Sequence, residues 1–365
     1  MALHCGIIGI AGIGKTTIFN CISDTKVETA AFGSGPSKAN MGVVKVPDQR
    51  LYELEKHQPT NKIVHTTVEI VDIPGLAKGS TKGEGVGGRF LGEIRNTDAL
   101  IHVVRCFDSD LLPHIEGSVD PVRDIETVNL ELQVKDHESV EKKIERLKRA
   151  AKSGDKEAVK GIEVLDRYRI HLEGFNVART LAVREDEKKY IDDLFLLTMK
   201  PVMYVCNVDE TSAVTGNKYV ERVKEFLSGQ NAEILVIAGA IEAEIAELEN
   251  VDDRKVFLQD IGLEEPGVDK LVRTAYKLLD LQTFFTVGPK EIRAWTIKKG
   301  MTAPQAAGVI HSDLERGFIR AEVMKYNDFI TLGSEHACRD SGKLYIEGKN
   351  YIVEDGDILN IRFNV

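Results

Sequence analysis

The sequence predicts an α/β fold made of a nucleotide-binding domain, an inserted antiparallel helical hairpin and a small β-rich module at the C-terminal end. Three observations predict it. Gly9-Ile10-Ala11-Gly12-Ile13-Gly14-Lys15-Thr16 fits G-x-x-x-x-G-K-[ST], with a strand-like run (Cys5 to Ile8) before it and a helix-like segment (Thr17 to Ile22) after it. Between residues 125 and 199 the alternation of strands and helices gives way to long runs at helical spacing. From Leu281 onward short alternating apolar segments take over.

The first of these is the phosphate-binding loop of P-loop nucleoside triphosphatases. Its glycines let successive backbone N–H groups converge on one anion, and the helix that follows adds the positive end of its dipole. Gly12, Ile13, Gly14, Lys15, Thr16 and Thr17 are therefore expected to line a bound nucleotide. Lys15 reaches the β/γ-phosphates, and the Thr16 hydroxyl is expected to ligate Mg²⁺.

The totals bound the rest. A chain of 365 residues can hold two or three domains, and its net charge of −10 argues against a surface that binds nucleic acid throughout. Five cysteines form no C-x-x-C pair, which suits buried thiols in a reducing compartment. The sequence opens without a secretory signal, and the longest later apolar run, Leu194 to Val208, is interrupted by Lys200-Pro201. A soluble cytoplasmic protein with no membrane partner is expected.

Residues 23–65 read as a first switch region, mostly loop, with a strand at Gly42 to Val46. The strand Thr67 to Val71 delivers Asp72-Ile73-Pro74-Gly75, a D-x-x-G motif. In P-loop enzymes that aspartate holds Mg²⁺, usually through water, and the glycine N–H senses the γ-phosphate. Leu76 then stands where Ras-like enzymes carry a water-orienting glutamine. Five glycines lie between Gly79 and Gly88, a composition suited to a switch loop.

Helical spacing runs through Ile125, Val128, Leu132, Val140, Ile144 and Leu147, turns near Ser153-Gly154-Asp155, and resumes through Val159, Ile162, Leu165, Tyr168 and Leu172. A third helix is expected from Asp186 to Leu197. Near the hairpin tip Lys142, Lys143, Arg146, Lys148, Arg149 and Lys152 form a cationic cluster, readable as a solvated face or as a contact for ribosomal RNA. The strand Pro201 to Cys206 ends in Asn207-Val208-Asp209-Glu210, where GTPases carry N-K-x-D; Asn207 could meet adenine N6 and N7 with one amide. The last strand of this domain is Ile234 to Ile237. In the β-rich module Thr302 is expected to cap a helix through Ala307.

Asp72-Ile73-Pro74-Gly75-Leu76, Lys78-Gly79, Lys82-Gly83-Glu84-Gly85 and His102-Val103-Val104-Arg105-Cys106-Phe107 together resemble the YchF / Obg-like ATPase family, over essentially the whole chain. The resemblance implies an Obg-type (Ras-like) G domain at 1–124 and 200–280, a coiled-coil insertion at 125–199 and a β-grasp TGS domain at 281–365. For the last, Lys290 to Thr296, His311 to Asp313 and Arg316 to Ala321 carry the likeness. It implies a Mg²⁺-dependent ATPase that acts as a regulatory switch at the ribosome, on the large subunit or the whole particle, with a low intrinsic rate. Lys15, Gly75 and His114 become the catalytic candidates, His114 because the family has a histidine there. Asn207, Val208 and Glu210 resemble the family's N-x-x-E, which prefers ATP. Thr16, Asp72 and Ser37 are the metal candidates; Pro36 occupies the family's metal-closing threonine position, so Ser37 or Ser34 would have to serve. Gly12 replaces the family's usual asparagine, which in related potassium-stimulated GTPases helps bind a monovalent cation. Two other readings stay open: a GTPase with Asp209 reading guanine after a one-residue slip, and a nucleotide-sensing binding module with little turnover.

Overall fold

The computed structural model describes residues 3–23, 39–75 and 86–364. In chain order its elements are β1 (His4–Ile8), α1 (Lys15–Ile22), β2 (Asn40–Lys45), α2 (Arg50–His57), β3 (Ile63–Val64), β4 (Thr67–Asp72), α3 (Val86–Arg95) and β5 (Ala99–Arg105). There follow α4 (Pro121–Lys152), α5 (Lys156–Glu173), β6 (Val202–Asn207), α6 (Lys218–Phe226), β7 (Glu233–Ile237), α7 (Gly239–Glu247), α8 (Val251–Asp260) and α9 (Gly267–Leu278). The last are β8 (Leu281–Val287), β9 (Ile292–Lys298), α10 (Ala303–Ile310), α11 (Ser312–Arg316), β10 (Phe318–Lys325), α12 (Tyr326–Leu332), α13 (Glu335–Asp340), β11 (Leu344–Glu347) and β12 (Asp357–Phe363). Two compact units divide the chain: residues 1–42 with 69–271, and residues 43–68 with 272–365.

The first unit carries a six-stranded sheet in the order β2-β4-β1-β5-β6-β7. β1 pairs in parallel with β4 and β5, and β6 with β5 and β7. Parallel strands covered on both faces read as continuous apolar runs, and every residue of β5 is buried. The carboxyl ends of β1, β4, β5, β6 and β7 lead into the phosphate loop, the D-x-x-G turn, the 106–120 segment, the Asn207 loop and the start of α7. In a sheet of this type the ligand sits where those ends gather.

The insertion begins where Asp120 caps α4 by accepting the Arg123 N–H, with proline in the first turn. Asp155 caps α5 by accepting from Glu157 and Ala158. The two helices run antiparallel over a core of Val140, Ile144, Val164, Leu165, Tyr168 and Leu172. The expected third helix is instead a series of 3-10 turns at Glu185–Tyr190, Asp192–Leu194 and Leu197–Met199. At the end of this stretch Asp136 on α4 intervenes: its buried carboxylate accepts the Leu197 N–H (2.6 Å), the Thr198 N–H (2.7 Å) and the Thr198 hydroxyl (2.6 Å). Donors captured by another helix cannot close α-helical turns of their own. At the same base Arg179 donates to the Thr198 carbonyl and to the Tyr204 hydroxyl.

The cationic cluster is less uniform than its sequence. Lys143 is buried, donating to the Tyr190 carbonyl and pairing with Asp193, while Lys148 pairs with Glu145 at 2.6 Å. Arg146 lies 3.7 Å from Asp193. Lys142, Arg149 and Lys152 form no ion pair among the described residues.

The second unit holds a mixed sheet in the order β11-β10-β12-β8-β9-β3. One face packs Phe284, Ile297, Ala303, Ala306, Ala307 and Leu359 together. The other gathers Leu51, Leu54, Phe285, Ile292, Met324 and Phe329. The expected boundary placed residues 43–68 in the nucleotide domain, yet α2 buries Leu51 and Leu54 here and β3 pairs with β9, Ile63 opposite Ile292. α10 begins as expected, with the Thr302 N–H and hydroxyl both donating to Gln305, and continues to Ile310. Cys5, Cys106, Cys206 and Cys338 are buried as the composition suggests, and no described helix is long and apolar enough to cross a membrane.

Candidate functional site

The phosphate loop is shaped by what its glycines avoid. Gly14 has φ 93° and serves as the N-cap of α1 without a side-chain cap, which leaves the first N–H groups of the helix open. A Cβ at Gly14 would run into the Asn207 amide. Lys15 is buried and donates to the Ile10 carbonyl at 2.7 Å across the loop. Burial pushes its ammonium down to about 8, and the Asp72 carboxylate works in the opposite direction. Thr16 and Thr17 are half-buried at the start of the helix, and Ile13 is buried beneath it. Gly12 has φ +76° with no atom within 4 Å of where a Cβ would stand.

Thr16 and Asp72 meet as the motifs require. The Thr16 hydroxyl donates to Asp72 Oδ2 at 2.8 Å. The second oxygen of that buried carboxylate, Oδ1, has no hydrogen-bond partner among the described residues. Burial raises the Asp72 carboxyl, while Thr16 and Lys15 favour its charged form. A hydroxyl and an unsatisfied carboxylate oxygen beside a phosphate loop are the hard oxygen donors that Mg²⁺ uses, and phosphates and waters normally complete its octahedron. The residues present fit that ion; Ser37, the third metal candidate, lies outside the described residues, as do Leu76 and Pro36. Gly75 presses its backbone against the loop, where a Cβ would stand 2.7 Å from Ala11 Cα and 2.8 Å from Lys15 Nζ. Only glycine lets the backbone pass so close to the phosphate loop. The glycine-rich stretch lies outside the described residues up to Gly85, and from Val86 it is helical, as α3.

Around the base position one residue has a structural part as well. Asn207 is buried, its Nδ2 donates to the Ile13 carbonyl at 2.9 Å, and its Oδ1 accepts the Gly239 N–H at 3.0 Å. These bonds use one of the two amide N–H groups and one oxygen lone pair. Asn207 thereby ties the phosphate loop to the start of α7. Val208 is buried and donates its N–H to the Ile237 carbonyl, extending the β6–β7 pairing. Asp209 caps the next turn: its Oδ1 accepts the Thr211 hydroxyl at 2.6 Å and the Ser212 N–H at 3.0 Å. Glu210 is exposed and opens that turn.

His114 is turned inward. Its Nε2–H donates to Asp124 Oδ2 at 2.9 Å, with both side chains almost wholly buried. Its Nδ1 accepts the Glu116 N–H at 3.1 Å. All of its hydrogen bonds run to the 116–124 segment, and none to the phosphate loop. The surrounding segment has no regular structure and is held by two guanidiniums. Arg105 donates to the Phe107 carbonyl (3.0 Å) and the Leu112 carbonyl (2.7 Å), and Arg123 donates to the Ser118 carbonyl (2.6 Å). Asp124 and Arg105 were invisible as site residues in the sequence. Asp124 reads as the ordinary first-turn acid of a helix, and Arg105 as the end of a strand.

Comparison with known proteins places these features in a lineage. A family described as a 50S ribosome-binding GTPase matches residues 4–156, and the C-terminal family of YchF GTPases, described as a protein of unknown function, matches 281–364. The chain is 46% identical over 367 residues to the ribosome-binding ATPase YchF of Bacillus subtilis, and 45% identical over 365 residues to that of Escherichia coli O157:H7, covering 100% of both partners in each case. Among solved structures, the Schizosaccharomyces pombe YchF GTPase matches with a TM-score of 0.86 and 33% identity, over 99% of this chain and 97% of that one. At this identity over its full length, the chain belongs to the YchF family.

Proposed function

We propose that this protein is a ribosome-associated regulatory ATPase that hydrolyses ATP to ADP and phosphate at a low intrinsic rate. The observation that carries the chemistry is the pair Thr16–Asp72 with its unsatisfied Oδ1, set beside Lys15 and Gly75. Lys15 and the open amides at the start of α1 hold the β- and γ-phosphates, and binding exchanges the Ile10 carbonyl for a phosphate oxygen at Lys15 Nζ. Thr16 and Asp72 are the chain's own metal holders; Mg²⁺, when bound, supplies charge neutralisation on the phosphates. Gly75 offers its N–H to the γ-phosphate. Leu76 can neither accept nor donate a hydrogen bond, so the water is positioned by another group. His114 is the residue proposed for that task, on the strength of the family resemblance.

ATP rather than GTP is the proposed substrate. The relatives' names are divided between ATPase and GTPase, so the loop chemistry has to decide. Guanine recognition needs a carboxylate facing two donors, N1–H and N2–H₂. Asp209 has Oδ1 engaged by its own turn, and Glu210 is a methylene longer than the GTPase aspartate, which supports adenine. Adenine facing a carboxylate would leave acceptor against acceptor, at about 1–3 kcal/mol. Calorimetric titration of the nucleotide-free protein tests this: ATP should bind at least several-fold tighter than GTP, and equal affinities would return the assignment to a GTPase.

The partner is proposed as the ribosome, with Lys142, Arg149 and Lys152 on the hairpin as phosphate contacts for ribosomal RNA and the C-terminal β-grasp unit as a second contact. The names of the bacterial relatives and the three cations without ion pairs support it. Co-sedimentation with ribosomes at increasing salt is the test. Replacing the three by glutamine should weaken binding and flatten its salt dependence. Unchanged binding would exclude the hairpin tip.

A further inference from the structure

We infer that Asp124 is a positioning residue for ATP hydrolysis: it stores His114 in an inward position, and rupture of the His114–Asp124 hydrogen bond releases the ring toward the attacking water. This rests on the reading of His114 as the water-positioning residue. The geometry points to it because nothing on the ring is left over. Nε2–H donates to Asp124 and the Nδ1 lone pair accepts from Glu116, so the imidazole is held as the Nε2–H tautomer with neither a free proton nor a free lone pair. A ring in that state, almost wholly buried, cannot orient a water molecule.

Two side chains hold the ring: Asp124 at Nε2, and Arg123, whose Nη2 lies 3.4 Å from Nδ1 beside the Glu116 N–H and which is itself paired with Asp124. The Glu116 N–H belongs to the loop itself, whose carbonyls are fixed at 107 and 112 by Arg105 and at 118 by Arg123. Asp124 is on α4, outside the loop, and its other oxygen is occupied: Oδ1 accepts from Arg123 Nε at 3.3 Å and Nη2 at 3.1 Å. The carboxylate is thus divided, one oxygen for the guanidinium and one for the imidazole. A plain helix-stabilising role for a first-turn acid would need neither contact. Among the hydrogen bonds of the ring, the one to Asp124 is where the stored and released states differ.

That division gives an isosteric test. In Asp124→Asn the amide oxygen is drawn to the Arg123 donors, which turns the NH₂ group toward the His114 Nε2–H, donor against donor. A hydrogen bond to a buried carboxylate biases a two-state equilibrium by roughly ten- to a hundredfold, so its loss frees the ring by about that factor. Steady-state ATPase assays on the full-length protein should show kcat raised roughly tenfold or more in Asp124→Asn, with KM for ATP within about twofold of the parent. In a His114→Ala background the same substitution should change nothing. If His114→Ala lowers kcat while Asp124→Asn leaves kcat unchanged or lowers it, Asp124 does not store the ring and the inference is wrong. If His114→Ala has no effect on kcat, the reading of His114 itself fails, which is a separate result. Should Asp124→Asn misfold, histidine-selective ¹⁵N NMR of the parent protein decides. His114 should appear as the Nε2–H tautomer with a ring proton protected from exchange, and a rapidly exchanging ring would overturn the inference.

Discussion

Asn207→Ala separates structure from base recognition more sharply than any change in the phosphate loop. The truncation leaves the Ile13 carbonyl and the Gly239 N–H without the partners they have at 2.9 and 3.0 Å. Each orphaned buried group costs about 1–3 kcal/mol, and the space left by the amide admits some compensating water, so a loss of about 2–4 kcal/mol is expected. For a unit of this size that lowers the unfolding midpoint by roughly 5–15 °C. The same ties position the phosphate loop, so ATP affinity falls as well. Asn207→Asp should be at least as damaging: it keeps an acceptor for Gly239 but sets an oxygen against the Ile13 carbonyl. The assay is thermal unfolding of the nucleotide-free protein followed by circular dichroism, paired with calorimetric titration with ATP. A residue that only touched adenine would lower affinity and leave the nucleotide-free unfolding curve where it was. That result would refute the strut described here.

Three further outcomes follow from the same geometry. Lys15 loses its proton near pH 8 in the free protein, and bound phosphates favour the charged form. Binding therefore takes up a proton above that pH, and ATP affinity should be flat below it and fall above it, by up to about tenfold per pH unit; Lys15→Ala should bind weakly with no such slope. Gly75→Ala places a methyl group 2.8 Å from Lys15 Nζ, so the D-x-x-G turn must withdraw, and hydrolysis should drop roughly a hundredfold while the nucleotide-free protein stays folded. Gly12→Asn meets no atom and keeps a positive φ that asparagine tolerates, so thermal stability should be unchanged. If the side chain restores the cation ligand of potassium-stimulated relatives, turnover in potassium should exceed that in sodium, and equal rates would deny the site.

What could be read in the sequence was what the chain encodes locally. The phosphate loop and the D-x-x-G turn need particular residues at fixed spacing beside a strand end, so Lys15, Thr16 and Asp72 were legible before any fold existed. Helical periodicity likewise exposed α4 and α5, because Val140, Ile144, Leu165 and Leu172 repeat at the helical interval. The failures have non-local causes. A helix was expected from Asp186 to Leu197, but the Leu197 and Thr198 N–H groups at its end are claimed by Asp136, some sixty residues earlier on α4. β3 is two residues long and finds its partner β9 more than two hundred positions later, so nothing near Ile63 announces it. The ties of Asn207 to Ile13 and Gly239 were not legible, since they exist only once three loops converge.

The distribution of rigidity over the site bears on how such a protein could act as a switch. The groups proposed to hold the nucleotide are anchored to the sheet: Lys15 opens α1 after the loop that follows β1, Asp72 ends β4 and Asn207 ends β6, beside the fully buried β5. The group proposed to position water lies in the segment after β5, which has no regular structure and is held by side chains. Binding is thus proposed at the buried strand ends, whereas the proposed water-positioning group sits on an irregular segment held by side-chain hydrogen bonds. An activator that engages the 106–120 segment could then raise turnover without altering affinity for ATP. Leu111, Leu112 and Ile115 are exposed there, on either side of the inward-facing His114, so a partner could grip the segment by its apolar side chains. An activator that acted by tightening ATP binding would contradict this division, and measuring KM and kcat together in the presence of ribosomes distinguishes the two.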